Sequence, residues 1–283
     1  MAGVSMKGIK LRIKSMESTK QITKAMEMVA SSKLRRAQER VISSRPYFET
    51  LYDTLNTIAA NSDDFDSPYL ARREVKKSCY IVIAGDRGLA GGYNSNVLKL
   101  AYGDMQGKNA CVLPIGKKAL EFFRLHGVQI VTDAYAEAAE IAIGDCFTLS
   151  KLLAKDFLSG GFDELFLVYT NFVSVLSQSP ASLKLLPLDC GPQKPAQLRD
   201  CLTLYEPDSN AVFNAIIPEY LGGLVYGALC ESVAAEHGAR RTAMDSATKN
   251  AEDMISDLSL KYNRARQGAI TQEITEIVAG SEE

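Results

Sequence analysis

This 283-residue chain has only two histidines, and neither these nor its six cysteines are placed for chemistry. Cys79, Cys111, Cys146, Cys190, Cys201 and Cys230 stand singly, with no pair at the two-to-four-residue spacing of a zinc site or redox motif. They read as reduced, mostly buried thiols. His126 and His237 have no sequence partner for a metal site or catalytic dyad. Ser/His/Asp, Cys/His and paired-carboxylate arrangements are missing as well. Acids such as Asp86 and Asp133 stand alone in loops, so no reaction, metal or cofactor is called for. Charges interrupt the apolar stretches before the ~18 residues a spanning helix or secretory segment needs. The start is basic through Lys7, Lys10, Arg12 and Lys14 but lacks the Arg- and Ser-rich character of a transit peptide. A bacterial-type cytoplasm is the expected compartment.

Phosphate-binding motifs are also absent in complete form. Gly85-Asp-Arg-Gly-Leu-Ala-Gly-Gly-Tyr93 follows an apolar run and precedes a helical stretch, where an α/β sheet would cradle phosphate. A P-loop ends in Gly-Lys-Ser/Thr, which this segment lacks, and Gly3 to Gly8 has the glycine spacing but continues Ile9-Lys10. The dinucleotide fingerprint is not matched, and no acid ends the second apolar run, Ala110 to Ile115, where a ribose would be read. A tight strand-to-helix turn built on Gly85, Gly88, Gly91 and Gly92 is the preferred reading. A phosphate- or nucleotide-binding α/β enzyme using this turn is the alternative.

What the chain has in quantity is helix. From Lys7 to about Ile58 there is no glycine after Gly8 and a single proline, Pro46. Ile9, Ile13 and Met16 recur at spacings of four and three, Ile22, Met26 and Val29 repeat the step, and a second line runs through Ala30, Leu34, Ala37 and Val41. A helix of ~40 residues is ~60 Å long, too long to be covered by a small core. Pro218 to about Val278 is a second such region, with Met244, Ala247, Ala251, Met254, Leu258 and Ala265 as a seam broken at Lys261. Alanines at a seam demand a close partner, so the two ends of the chain are expected to pair antiparallel.

Between them, short apolar runs alternate with amphipathic helical stretches. Cys79 to Ala84, Ala110 to Ile115 and Leu165 to Tyr169 read as buried strands; Asn94 to Met105, Lys117 to His126 and Gly144 to Leu158 read as helices. This pattern predicts a Rossmann-like α/β unit with a parallel sheet. Phe172 to Leu176 and Leu183 to Leu188, split by Ser179-Pro180, read as a further hairpin. The expected organisation is a coiled-coil helix over 1–60, an α/β domain over 75–190 and a second coiled-coil helix over 208–283.

Charge is uneven. Residues 1–45 hold eleven Lys or Arg against three Glu, although the chain as a whole carries −2. The run lacks the interleaved aromatics of a nucleic-acid surface, and its apolar stripe suits protein partners better than lipid.

Thr19-Lys-Gln-Ile-Thr-Lys-Ala-Met-Glu-Met-Val-Ala-Ser-Ser-Lys-Leu-Arg-Arg36 resembles the N-terminal signature of the gamma subunit of the bacterial F-type rotary ATP synthase. Ala243 to Asn250, Tyr262 to Gln267 and Ile270 to Gly280 are similar to that family's C-terminal helix, and Asp86 to Asn94 and Leu204 to Pro207 resemble it as well. The resemblance implies a non-catalytic central shaft of a proton-driven ATP synthase. Its partners would be three alpha and three beta subunits, an epsilon subunit and a membrane ring of c subunits. Location would then be peripheral, at the cytoplasmic face of the cell membrane.

By position, Lys24 and Met26 would face an acidic lever loop of beta, and Arg266, Gln267 and Thr271 would meet the loop that catches the shaft. Tyr205 and Glu206 would lie near the polar loops of the ring. Two departures stand out. Gly268 replaces a more usual alanine, and Gly280 is followed by Ser281-Glu282-Glu283 instead of a small or apolar tail. The chain also lacks the cysteine-paired insertion of photosynthetic relatives, so thiol control is not expected.

Overall fold

A computed structural model of the chain describes residues 6–60, 67–71, 73–135, 137–138, 141–188 and 205–281. Ten elements follow in order. They are α1 (Met6–Ala60), β1 (Ser78–Ile83), α2 (Tyr93–Met105), β2 (Ala110–Ile115), α3 (Lys117–Leu125), β3 (Gln129–Ile130), α4 (Ile143–Leu158), β4 (Glu164–Phe172), β5 (Gln178–Leu186) and α5 (Ser209–Ser281). Cys190, Cys201 and the terminal Glu282-Glu283 lie outside the described residues. The chain forms two compact units, one of residues 1–31 with 240–283 and one of residues 32–239.

The smaller unit is an antiparallel helix pair. Thr23 lies opposite Thr248 and Lys20 opposite Glu252, so the position on α5 rises as that on α1 falls. Ile9, Thr23 and Ala30 are buried on α1, with Ile13, Met16 and Lys20 half-buried between them. On α5, Met244, Thr248 and Ala251 are buried and Ile255, Leu258, Tyr262 and Ala265 half-buried. Both sets step alternately by four and three, the period of a coiled-coil seam.

The seam differs by one position from the sequence expectation. Ile22 is 58% exposed, Val29 56% and Met254 55%, so these apolar side chains point outward. Lys20, Thr23 and Tyr262 hold the seam positions instead, and the expected break at Lys261 does not occur. Thr23 and Thr248 are accommodated because their hydroxyls bond to each other at 2.7 Å, while Thr248 also reaches the Met244 carbonyl at 2.8 Å. A buried polar pair of this kind favours one register over its neighbours, since a slip breaks the cross-helix bond and leaves each hydroxyl only a carbonyl of its own helix, Lys20 for Thr23 at 3.1 Å and Met244 for Thr248.

In the larger unit the sheet runs β3-β2-β1-β4-β5, with β5 alone antiparallel. β1 is central and buried on both faces, which explains its unbroken apolar run. Its odd residues Cys79, Ile81 and Ile83 face a core made with Leu149, Leu153 and Phe157 of α4 and Phe213, Ile217, Leu221 and Val225 of α5. Its even residues Tyr80 and Val82 face Val97, Leu98 and Ala101 of α2 and Phe123 of α3. Each fully buried side chain of this size contributes ~1.5–3 kcal/mol.

Three local expectations need correcting. Val173 to Ser177 is the hairpin turn, so the Phe172–Leu176 segment is not a strand of its own. Ser179-Pro180 lies inside β5, where an edge strand tolerates a missing N–H. Third, α5 is by length and composition apolar enough to cross a membrane, because Glu219 is the only charge between Asp208 and Glu231. The apolar side chains of that stretch pack on the sheet, and half of it is buried. α5 starts at an Asp208 cap, whose carboxylate accepts the Ala211 N–H at 2.8 Å.

Cys79, Cys111, Cys146 and Cys230 are free thiols and buried. Burial pushes Cys146 from 9.0 up to about 12. The folded pKa exceeds the unfolded one, so this thiol's contribution to stability is complete below 9.0 and lost as pH climbs towards 12. Alkylation at about pH 8 is expected to reach Cys146 only after denaturation, as read by mass spectrometry; labelling of the native chain at the unfolded rate would contradict the burial.

Two helical glycines in α5 test the packing in opposite directions. A Cβ at Gly222 would lie 2.5 Å from Phe147 Cδ1 and 2.8 Å from Ser150 Oγ, whereas at Gly268 it would meet nothing within 4 Å. Gly222→Ala is expected to destabilise by about 1–3 kcal/mol and Gly268→Ala to stabilise by about 0.5–1 kcal/mol in urea unfolding. The reverse order would show that the helix packs elsewhere.

Candidate functional site

The Gly85–Tyr93 turn sits where an open α/β sheet places ligands, just beyond the C-terminal end of β1 and beside the point where strand order reverses. Its own side chains close it. Asn94 Oδ1 accepts the Gly85 N–H at 2.8 Å, and Asn94 Nδ2 donates to the Arg87 carbonyl at 3.1 Å. Asp86, a lone loop acid by sequence, accepts the N–H groups of Lys117 at 3.2 Å and Ala138 at 2.9 Å, tying the start of α3 and the loop before α4 to the turn. Gly91 adopts φ 55°, a left-handed conformation that glycine supplies without strain. Gly88 and Gly92 complete the turn on its exposed side.

Helix α5 covers the opening. Ala235 packs with Ala90 and Tyr93, supported by Phe172 and Ala239. A Cβ at Gly85 would come within 2.8 Å of the Glu236 carboxyl carbon, so this glycine lets an acidic side chain lie directly on the turn. A carboxylate there repels the phosphate that such a turn would otherwise attract. The geometry is that of a joint between sheet and helix, and it disfavours the nucleotide-binding alternative. Among the described residues, no group of three or more His, Cys, Asp or Glu side chains is arranged to hold a metal ion.

The other sequence-predicted residues fall at separate stations. Lys24 is exposed on α1 and pairs with Glu27 at 2.9 Å; that hydrogen bond and the Glu27 charge hold its ammonium above the ordinary lysine range. Met26 is half-buried beside it. Arg266, Gln267 and Thr271 are exposed on α5, with the Thr271 hydroxyl donating to the Gln267 carbonyl at 2.9 Å. By the Thr23–Thr248 register, Lys24 faces the neighbourhood of Ala247. At 1.5 Å per residue, the two stations are roughly 28 Å apart along the pair. Tyr205, half-buried against the core, and Glu206, exposed, precede α5 in the other unit.

The helix pair also presents apolar side chains to solvent that the sequence reading assigned to the seam or passed over. Leu11, Ile22, Met28 and Val29 on α1 are 56–66% exposed, and Ile270, Ile274, Ile277 and Val278 on α5 are 46–66% exposed. Such a density of exposed aliphatics marks a surface made for partners.

A family model described as ATP synthase matches residues 5–282. The ATP synthase gamma chain of Alkaliphilus metalliredigens is 46% identical over 286 aligned residues, covering 99% of each chain. The chain belongs to the ATP synthase gamma chain family. The gamma chain of Lachnoclostridium phytofermentans is 45% identical with 98% of each chain covered, and the sodium-ion-specific gamma chain of Acetobacterium woodii is 40% identical with 97% covered.

Among solved structures, the rotor of the Euglena gracilis mitochondrial ATP synthase matches with a TM-score of 0.64 at 18% identity, over 94% of this chain and 98% of that one. A chain of the Euglena OSCP/F1/c-ring assembly matches with a TM-score of 0.67, also at 18% identity, over 97% of this chain and 92% of that one. At this identity the structural likeness speaks to the fold. That fold has a long helix at each end of the chain and an α/β sheet between them in sequence.

Asn94 and Glu236 distinguish the joint from a binding turn. Asn94→Ala removes both hydrogen bonds of the turn and is expected to lower stability by about 1–3 kcal/mol in chemical denaturation. The isolated gamma chain is expected to show no saturable binding of ATP or ADP by calorimetry, with or without Arg87→Ala. Nucleotide binding abolished by Arg87→Ala would restore the enzyme reading.

Proposed function

We propose that this gamma chain is the central rotor shaft of a proton-driven ATP synthase, carrying torque between a membrane ring of c subunits and a hexamer of three alpha and three beta subunits. The observation that carries this reading is the antiparallel helix pair, with its continuous heptad seam and its outward row of exposed aliphatics. A shaft must be stiff in torsion, and two helices locked by a close-packed seam resist bending and twisting where a single helix yields. It must also turn past successive neighbours without being trapped by one of them. Exposed single aliphatics and mobile cationic side chains make contacts that are weak one by one and interchangeable between identical partners.

In this reading the basic run of α1 serves electrostatic contact. Lys24 and Met26 meet an acidic lever loop of beta, with attraction extending over a Debye length of ~8 Å and so tolerant of rotation. Arg266, Gln267 and Thr271 engage the loop that catches the shaft higher up, and Tyr205 and Glu206 face the polar loops of the ring. An epsilon subunit completes the stalk against the α/β unit. The chain itself is non-catalytic: the strand-to-helix turn that would hold a phosphate is occupied by Glu236 and closed by Asn94. It would stand peripheral to the membrane on the cytoplasmic face, held there through the ring.

Reconstitution tests the proposal. Alpha and beta assembled with this chain are expected to give a complex containing one gamma per three alpha and three beta, and a bead fixed to the gamma chain should turn in one direction during ATP hydrolysis. With the ring and its membrane sector added, ATP synthesis driven by an ion gradient should require the chain. Equal coupled synthesis in its absence would reject the shaft role.

A further inference from the structure

The larger unit contains a cavity that neither the turn nor the proposed rotor contacts use. It has a volume of about 250 Å³ and lies where one face of α1 meets α5 and the loop before α4. Its floor is apolar, made by Ala37, Leu229, Val233 and Ile141, with the buried Cys230 thiol among them. Its rim is cationic. Lys33, Arg36 and Arg40 recur at spacings of three and four on α1, so all three side chains line the same opening. His237 and the half-buried Tyr226 complete the wall from α5.

No carboxylate lines this cavity among the described residues. Three acids near it are engaged elsewhere, Glu39 by Arg35 at 3.4 Å, Glu137 by Lys117 at 2.6 Å and Asp145 by the Ala142 N–H at 2.8 Å; Glu231 lies outside the lining but its charge reaches Cys230. Burial pushes the Tyr226 and Cys230 groups of the wall up, while the Arg40 charge favours the ionised forms of both and the Glu231 charge opposes it at Cys230. The result is a concave apolar surface under three positive charges, with no carboxylate among its described lining residues. That combination selects its occupant by chemistry: an anionic group at the rim and a compact apolar body below.

We propose that this cavity is a binding site for a small amphiphilic anion, an aryl or short alkyl phosphate or carboxylate whose charged group is held by Arg36 and Arg40 and whose apolar part rests on Leu229 and Val233. The volume is below that of pockets for drug-sized ligands, which excludes a whole nucleotide and leaves room for roughly a bicyclic ring or short chain. Guanidinium groups suit the role, since each offers a planar pair of donors to two oxygens of one anion.

Calorimetric titration of the full chain with 1-naphthyl phosphate, inorganic phosphate and 1-naphthol separates the contributions. The phosphate ester is expected to bind at one site per chain and at least about ten-fold more tightly than either the inorganic anion or the uncharged alcohol. Arg36→Gln with Arg40→Gln should weaken it about ten-fold or more, and Val233→Phe, which fills the floor, should abolish it. Circular dichroism and the thermal midpoint report whether each variant remains folded; Arg36 and Arg40 are exposed, so their exchange leaves the core intact. Arg87→Gln, at the remote turn, should bind as the parent does. Equal affinity for inorganic phosphate, unchanged binding in the folded arginine variant, or no saturable binding up to about 10 mM would each overturn the proposal.

Discussion

One helix has to satisfy two kinds of partner. Over its 73 residues, α5 first packs Phe213, Ile217, Leu221 and Val225 against a β-sheet and later packs Met244, Thr248 and Ala251 against another helix. A sheet face accepts large side chains on a broad surface, while a helix seam accepts a narrow line of smaller ones. The composition of α5 changes accordingly, from an almost uncharged stretch to one rich in alanine with arginine and glutamate. Nearly every other feature follows from keeping this helix continuous. Pro218 is retained inside it, and Gly222 gives Phe147 and Ser150 of α4 the room they need.

The same constraint explains why the crevice of this Rossmann-like sheet is closed among the described residues. The crevice at the end of the central strand is the usual place for a ligand in such a sheet, and here α5 fills it with Ala235 and Glu236. The glycine turn has the shape of a phosphate cradle and the opposite electrostatics. Asn94 and Asp86 take up backbone N–H groups of the turn and of the loops beside it. What remains is a closed joint between sheet and helix, which suits the shaft role proposed above.

Within the helix pair, stability and partner contact are divided between faces. The seam combines aliphatic, alanine and methionine side chains with one internally paired couple of threonines, and the outward face keeps aliphatics that are more than half exposed, Leu11, Ile22 and Ile277 among them. Ion pairs along the pair, such as Lys20–Glu252 at 2.9 Å and Lys249–Asp245 at 2.8 Å, are solvent-exposed and add little to stability. They do set the charge pattern that a neighbour meets. The stiffness therefore rests on the seam, while the surface stays adaptable.

Helix composition, the strand rhythm and the alternation of β1 were legible from sequence because each depends on neighbours within a few residues. The phase of the seam was not. Ile22, Val29 and Met254 looked like seam residues by apolarity, yet Lys20, Thr23 and Tyr262 occupy that line. An aliphatic that awaits a partner and one already buried have the same transfer free energy, so periodicity alone does not separate them. The two threonines became core residues only once their hydroxyls met across the pair. Asn94, Asp86 and Glu236 were silent for the same reason: their roles arise from contacts made by distant parts of the chain. By itself the sequence determined the family, the helical ends and the α/β middle, through local periodicity and motif. Tertiary structure alone decided which faces turn inward and that the glycine turn is closed, because those outcomes depend on side chains that only folding brings together.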